Sequence, residues 1–159
     1  MVRTIVGFRP ADGDGWVAEL SCLHTQHVRH RPPFQLREWV LTEEGRADRV
    51  GSPIECPLCD RAELPADLEV VRALGPFDQT TLPAGLGRAH RVADGMWGRL
   101  TVTEGEVTLT IETEPPLVTV VGPGQSHPIP PAVDHAVALA GPARLAVELL
   151  ARPAPGPPH

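Results

Sequence analysis

All three cysteines and three of the seven histidines of this 159-residue chain fall between Cys22 and Cys59. The run Cys22-Leu23-His24-Thr25-Gln26-His27-Val28-Arg29-His30 is answered by Cys56-Pro57-Leu58-Cys59. Thiolate sulfur and imidazole nitrogen are the donors of structural zinc, which takes four of them tetrahedrally, usually in pairs from two tight turns. Cys56 and Cys59 make one such pair, on a turn that Pro57 helps to shape. Cys22 and His24 supply the other, with His27 and His30 competing for the fourth place. In an extended segment those two would point to opposite faces, so at most one of them joins. A redox dithiol is the competing reading, but no thioredoxin-like βαβ context surrounds the motif. Unliganded core cysteines are a further alternative. The thiolate-rich set favours a closed, structural Zn2+ site; only a three-ligand site would leave a position open for catalysis.

These ligands need strands and turns to present them. Thr4 to Phe8 is apolar and extended in type, and Asp12-Gly13-Asp14-Gly15 is a turn signal. Trp16 to Cys22 reads as the returning strand, with Trp16, Ala18, Leu20 and Cys22 on one face. Gln26 to His30 is a third short strand, stopped by Pro32-Pro33. Thr42 caps a short helix through Arg49, and Gly51 ends it. Arg29, Arg31, Phe34, Arg37 and Trp39 lie close together; Phe34 and Trp39 are expected in the small core with the arginines solvated around them. Residues 1–60 are thus a small Cys/His module with little core of its own, so a bound metal would supply folding free energy directly.

Residues 61–80 read as a linker with one helical turn. From 81 to 151 the chain consists of short β segments: Trp97–Glu104, Val107–Glu112, Leu117–Val121, Ser126–Ile129, His135–Leu139 and Arg144–Leu150, with a tight turn at Glu104-Gly105-Glu106. Short strands at roughly ten-residue spacing predict a sandwich or a jelly-roll barrel. Residues 152–159, rich in proline, are expected to be a disordered tail.

Gly124-x5-Pro130-x-Ala132-x2-His135 is similar to the second cupin signature, with Ala132 where glycine is usual and Leu139 where asparagine is usual. Counting back from Gly105, the glutamate of the first cupin signature falls on Gly98, and His90 is the nearest imidazole. More specifically, Pro83-Ala84-Gly85 through Leu149 resembles the tellurite-resistance-protein-B-like cupin family, on His90, Trp97-Gly98-Arg99-Leu100, the Gly105 turn, Pro130-Pro131, His135 and Glu148. Residues 3–60 resemble a small uncharacterised bacterial Cys/His domain often joined to that cupin. The resemblance implies a mainly β protein: a zinc-stapled β-hairpin/helix module followed by a cupin-like jelly-roll β-barrel. It places His135 inside the barrel mouth and links the family to oxyanion and nitrosative stress. His90, His135 and Glu148 would form a two-histidine, one-carboxylate set for a second divalent metal, Fe, Mn, Ni or Zn. His127 and Gln125, at even spacing on a neighbouring strand, would face the same cavity, as would Trp97 unless it serves barrel packing. The alternative is that His90 and His135 are hydrogen-bonded pocket residues without metal.

The net charge of −6 counts against a general nucleic-acid binder. All 14 basic residues are arginine. Residues 1–8 lack the apolar core of a signal peptide, and no run reaches the roughly 18 apolar residues of a membrane span. A cytoplasmic protein, with thiols kept reduced for metals, is therefore expected. Three functions follow: a zinc-stapled, metal-binding cupin protein that takes a small ligand or metal in stress defence; a metal-dependent cupin enzyme, dioxygenase- or isomerase-like, built on His90, His135 and Glu148; and a zinc-ribbon-like nucleic-acid or protein adaptor. By resemblance, a homodimer is expected.

Overall fold

The computed structural model describes residues 1–154, 156 and 157. The chain divides into two compact units, Met1–Leu58 and Cys59–His159. It is mainly β, and each unit is built from antiparallel strands.

In the first unit, β1 (Val2–Pro10), β2 (Trp16–Leu20), β3 (Thr25–Val28) and β4 (Pro53–Glu55) form one sheet in the order β3-β2-β1-β4. The Asp12–Gly15 turn closes the first hairpin, and Ala11 donates its N–H to the Gly15 carbonyl. Of the expected face of β2, Ala18, Leu20 and the following Cys22 are buried, joined by Ile5 and Val28, while Trp16 is half-buried and Val17 on the other face is buried as well. α1 (Glu43–Arg49) starts where expected, with Thr42 Oγ1 accepting from the Gly45 N–H at 3.0 Å. Its Arg46 guanidinium lies 3.5 Å over the Trp16 ring and donates to the Val40 carbonyl, which docks the helix on the sheet. The expected aromatic core is corrected: Phe34 is 94 % exposed, and Val40 takes the buried place. Trp39 is half-buried, edge-on to Phe8 at 5.8 Å.

The second unit holds two sheets. One is β10 (His135–Leu139), β7 (Val107–Ile111) and β8 (Leu117–Val121); the other is β5 (Glu69–Asp78), β11 (Arg144–Ala151), β6 (Trp97–Glu104) and β9 (Gln125–Ile129), in those orders. Each sheet buries one face through alternate residues, Leu109, Ile111 and Val137 on the first and Leu100, Val102, Ile129 and Leu145 on the second.

The linker expected over 61–80 is overturned at its second half, where Glu69–Asp78 pairs along β11 as an edge strand. Gly75-Pro76 reads as a strand breaker, yet an edge strand can hold proline because one side of its backbone needs no partner. The register shifts between Leu74 and Phe77 absorb the interruption, with Gly75 at a φ of 102°. Residues 61–68 form no regular element. Arg152 to Ala154 carry none either, and three positions of the expected tail, 155, 158 and 159, lie outside the described residues. Among the described residues, no helix is long and apolar enough to cross a membrane.

Candidate metal centre and the paired histidines

The order β2-β1-β4 explains how residues 34 positions apart converge. β1 runs antiparallel to both neighbours, with Ile5 opposite Leu20 and Val2 opposite Glu55. Strands β2 and β4 therefore end at the same edge of the sheet, and each leads into a ligand-bearing turn. After β2 the chain turns through Ser21-Cys22-Leu23, closed by Leu20 N–H to the His24 carbonyl at 3.0 Å and Leu23 N–H to the Leu20 carbonyl at 2.9 Å. Leu23 adopts a φ of 71°, a left-handed conformation that costs a branched residue about 1 kcal/mol and is tolerated where the surroundings impose it. After β4, Cys56 donates its N–H to the Met1 carbonyl at 2.8 Å, and Pro57 begins the single helical turn α2 (Pro57–Asp60) that carries Cys59.

The four side chains meet in the interior. Cys22 Sγ lies 3.8 Å from Cys56 Sγ, and His24 Nδ1 lies 3.5 Å from Cys22 Sγ and 3.4 Å from Cys56 Sγ. With Cys59, all four donor atoms fall within 4.8 Å of one another. A tetrahedral ion with metal–sulfur bonds of about 2.3 Å and metal–nitrogen bonds of about 2.0–2.1 Å has S···S edges of about 3.8 Å and S···N edges of about 3.5 Å. The three separations among Cys22, His24 and Cys56 match these edges, and Cys59 completes the group within the 4.8 Å span. They are far longer than a disulfide bond, and none of the three cysteines forms a disulfide. Cys22, Cys56 and Cys59 have no exposed surface and His24 has 5 %, so the donor set is closed to solvent. His27 and His30 do not join it. His27 is exposed on the sheet face opposite Val28, and His30 Nδ1 accepts from the Arg37 N–H at 3.0 Å.

The second unit does not assemble the three-ligand set. His90 and His135 do meet: their rings are 3.9 Å apart between centroids, and their backbones exchange two hydrogen bonds of 3.0 and 2.9 Å. His90 Nδ1 donates to the Arg88 carbonyl at 2.9 Å. His135 is only 3 % exposed, and its Nδ1 has no hydrogen-bond partner. Glu148 does not join them. It pairs across the sheet with Arg99, at 3.1 and 3.3 Å, and alternation places both on the face opposite buried Val147 and Leu100. Trp97 shares the parity of Arg99, so it too leaves the expected pocket; it is fully buried, opposite Leu150. His127 keeps the inward parity beside Leu100, half-buried, with Nδ1 donating to the Pro128 carbonyl at 2.8 Å. Gln125 is exposed, and its Oε1 accepts from the Gly122 N–H at 2.8 Å, closing the turn before β9.

Gly98, the position that the resemblance compares with a glutamate, is closely packed. A Cβ there would stand 3.2 Å from both Val92 Cγ2 and Ile129 Cβ. The space in front of the strand is already filled by aliphatic carbon. Among the described residues, Cys22, His24, Cys56 and Cys59 are the one group of three or more such side chains close enough to share a metal ion.

Two predictions arise here. Ala132 sits at a φ of 56°, a left-handed conformation that glycine adopts without a Cβ penalty, and it is exposed. Ala132→Gly is therefore expected to leave stability unchanged or raise it by up to about 1 kcal/mol, read from urea unfolding of the second unit. The other concerns acid. Burial, then the neighbouring His90, pushes His135 down to about 4 from the ordinary 6.5. The unfolded chain takes up this proton first, so the stability held above pH 6.5 falls as the pH drops towards 4, by up to about 3 kcal/mol. The check is the difference between natural chain and His135→Gln across that window; the variant is expected to show a flatter profile.

Comparison with known proteins agrees with the two-part organisation. Residues 6–63 match the family model described as a protein of unknown function (DUF3565), and residues 72–147 match the TehB-like domain. The second match begins inside β5, so that strand belongs with the domain that follows it. No curated protein matches the chain. Among solved structures, a protein from E. coli (strain K12) is 20 % identical with a TM-score of 0.52, over 58 % of this chain and 98 % of that one. TehB from Haemophilus influenzae is 19 % identical with a TM-score of 0.49, over 55 % of this chain and 32 % of that one, about a third of its length. Hydroxypropylphosphonic acid epoxidase from S. wedmorenis, in complex with fosfomycin, is 24 % identical with a TM-score of 0.35, over 45 % of this chain and 39 % of that one. At these identities the first likeness speaks to the fold alone.

Proposed function

We propose that this chain is a zinc-stapled binding protein of the cytoplasm, in which one Zn2+ held by Cys22, His24, Cys56 and Cys59 folds the first unit and a cupin-type barrel in the second takes a small ligand at the His90–His135 pair. The observation that carries the metal half is the convergence of four buried donors within 4.8 Å, with Cys22, His24 and Cys56 spaced 3.4 to 3.8 Å apart as on the edges of a tetrahedral site. Three thiolates and one imidazole suit zinc, and full burial suits a structural rather than a catalytic ion. The zinc would supply charge neutralisation and cross-linking to a unit too small to be stable on its core alone.

The barrel half rests on the imidazole pair. His135 offers a buried nitrogen with no partner, next to a second ring held in place by the Arg88 carbonyl. Binding is favoured over metal-dependent catalysis because the only carboxylate of the expected set, Glu148, is committed to Arg99 on the other face of its sheet. The TehB-like match suggests a place in oxyanion or nitrosative stress. Metal analysis of the purified chain is expected to find one zinc per chain, retained through dialysis without chelator. Calorimetric titration with tellurite is expected to give saturable heat that His135→Ala removes; no heat with the natural chain would remove the oxyanion reading and leave the zinc reading intact.

A further inference from the structure

The four sheet edges of the second unit are not equally protected. An unpaired edge is a template for another strand, and proteins blunt such edges with proline, charge, bulges or a covering segment. On β5 the edge carries Glu69, Arg72, Pro76, Asp78 and two register shifts. On β9 it contains Pro128. The outer edge of β10 is covered at its start by the His90 bridge. The edge of β8 has none of these devices. Leu117-Val118-Thr119-Val120-Val121 is uncharged, free of proline, and paired with β7 in an unbroken register. Prolines stand only outside it, at 115, 116 and 123.

The face above that edge is also uncharged. Val118 and Val120 are 62 % and 56 % exposed. Behind them, in register, lie Thr110 and Ala136 in one row and Thr108 and Ala138 in the other.

We propose that two copies of this chain pair β8 against β8 about a two-fold axis through Thr119, joining two three-stranded sheets into one of six. The sequence is self-complementary in that register. Val118 of one copy falls opposite Val120 of the other, twice, on the exposed face, and Leu117 falls opposite Val121. No acid meets an acid, because Glu114 falls opposite Gly124 and Glu112 opposite Ser126. Five residues pairing antiparallel exchange about four to six backbone hydrogen bonds over a small contact, which fits a reversible dimer with a Kd on the order of tens of micromolar. A second copy is the favoured occupant because the register satisfies both strands at once.

The test is sedimentation velocity of the full zinc-loaded chain over about 5 to 500 µM. The natural chain is expected to shift from 17.1 kDa towards twice that mass. Val118→Lys with Val120→Lys places lysine opposite lysine in both rows and packs four ammonium groups together; it is expected to raise the Kd at least about tenfold. Val118→Lys with Val120→Glu sets lysine opposite glutamate of the other copy in both rows, and is expected to return the Kd to within about threefold of the natural value. Both positions are exposed, so each variant should keep the natural unfolding midpoint, which is measured alongside. A natural chain that stays monomeric throughout, a lysine pair that still dimerises, or a lysine–glutamate pair that fails to recover would each overturn the proposal.

Discussion

Cys56→Ser is expected to release the zinc and unfold the first unit while the second stays folded. Cys56 stands at the end of β4, in contact with both Cys22 and His24, and its own N–H is tied to the Met1 carbonyl. Serine keeps the size and the backbone bond but is a poor zinc donor beside thiolates. Apparent binding free energies of structural zinc are about 10–16 kcal/mol at neutral pH, more than a domain of this size holds in its core. Removing one of four ligands therefore removes the condition for folding rather than a fraction of its stability. In amide NMR spectra, resonances of residues 1–58 should collapse towards unfolded positions while those of β5 to β11 remain dispersed. Excess chelator on the natural chain should give the same pattern. A first unit that keeps its dispersed spectrum without metal would contradict the assignment.

Gly98→Glu carries the second large effect, and it addresses the second unit. The substitution introduces the residue type that the resemblance to the first cupin signature would place there. In this chain the side chain would enter between Val92 Cγ2 and Ile129 Cβ, each 3.2 Å from the new Cβ, in a layer that also holds Leu100. Overpacking costs about 1–3 kcal/mol, and a buried carboxylate without a partner adds a comparable penalty. The second unit is expected to lose about 3 kcal/mol or more, read from its denaturation midpoint. A variant of natural stability that gains a divalent metal together with His90 and His135 would show instead that the second unit has room for a third ligand there.

The features legible in the chain were those written in local chemistry. The Cys22–His24 and Cys56–Cys59 pairs could be seen because a tetrahedral site restricts both donor type and spacing. Trp97–Glu104 and Leu117–Val121 could be bounded because Gly and Pro punctuate them. What was hidden depended on partners far away in sequence. β5 looks broken at Gly75-Pro76 until its place at a sheet edge is known. The choice of His24 over His27 and His30 depends on a tight turn at Leu23 and on the strand parity of His27, neither of which periodicity over so few residues resolves. Glu148 was assigned to the pocket from its position in a motif, and only the register with β6 shows it opposite Arg99. The exposure of Phe34 could not be read at all, since an aromatic beside prolines is equally consistent with a core.

The most direct test of the central claim is zinc K-edge X-ray absorption of the purified full chain. Zinc held by Cys22, His24, Cys56 and Cys59 is expected to show three sulfurs at about 2.3 Å and one nitrogen at about 2.0–2.1 Å, with one zinc per chain. A shell dominated by nitrogen and oxygen, or a folded chain without zinc, would contradict it.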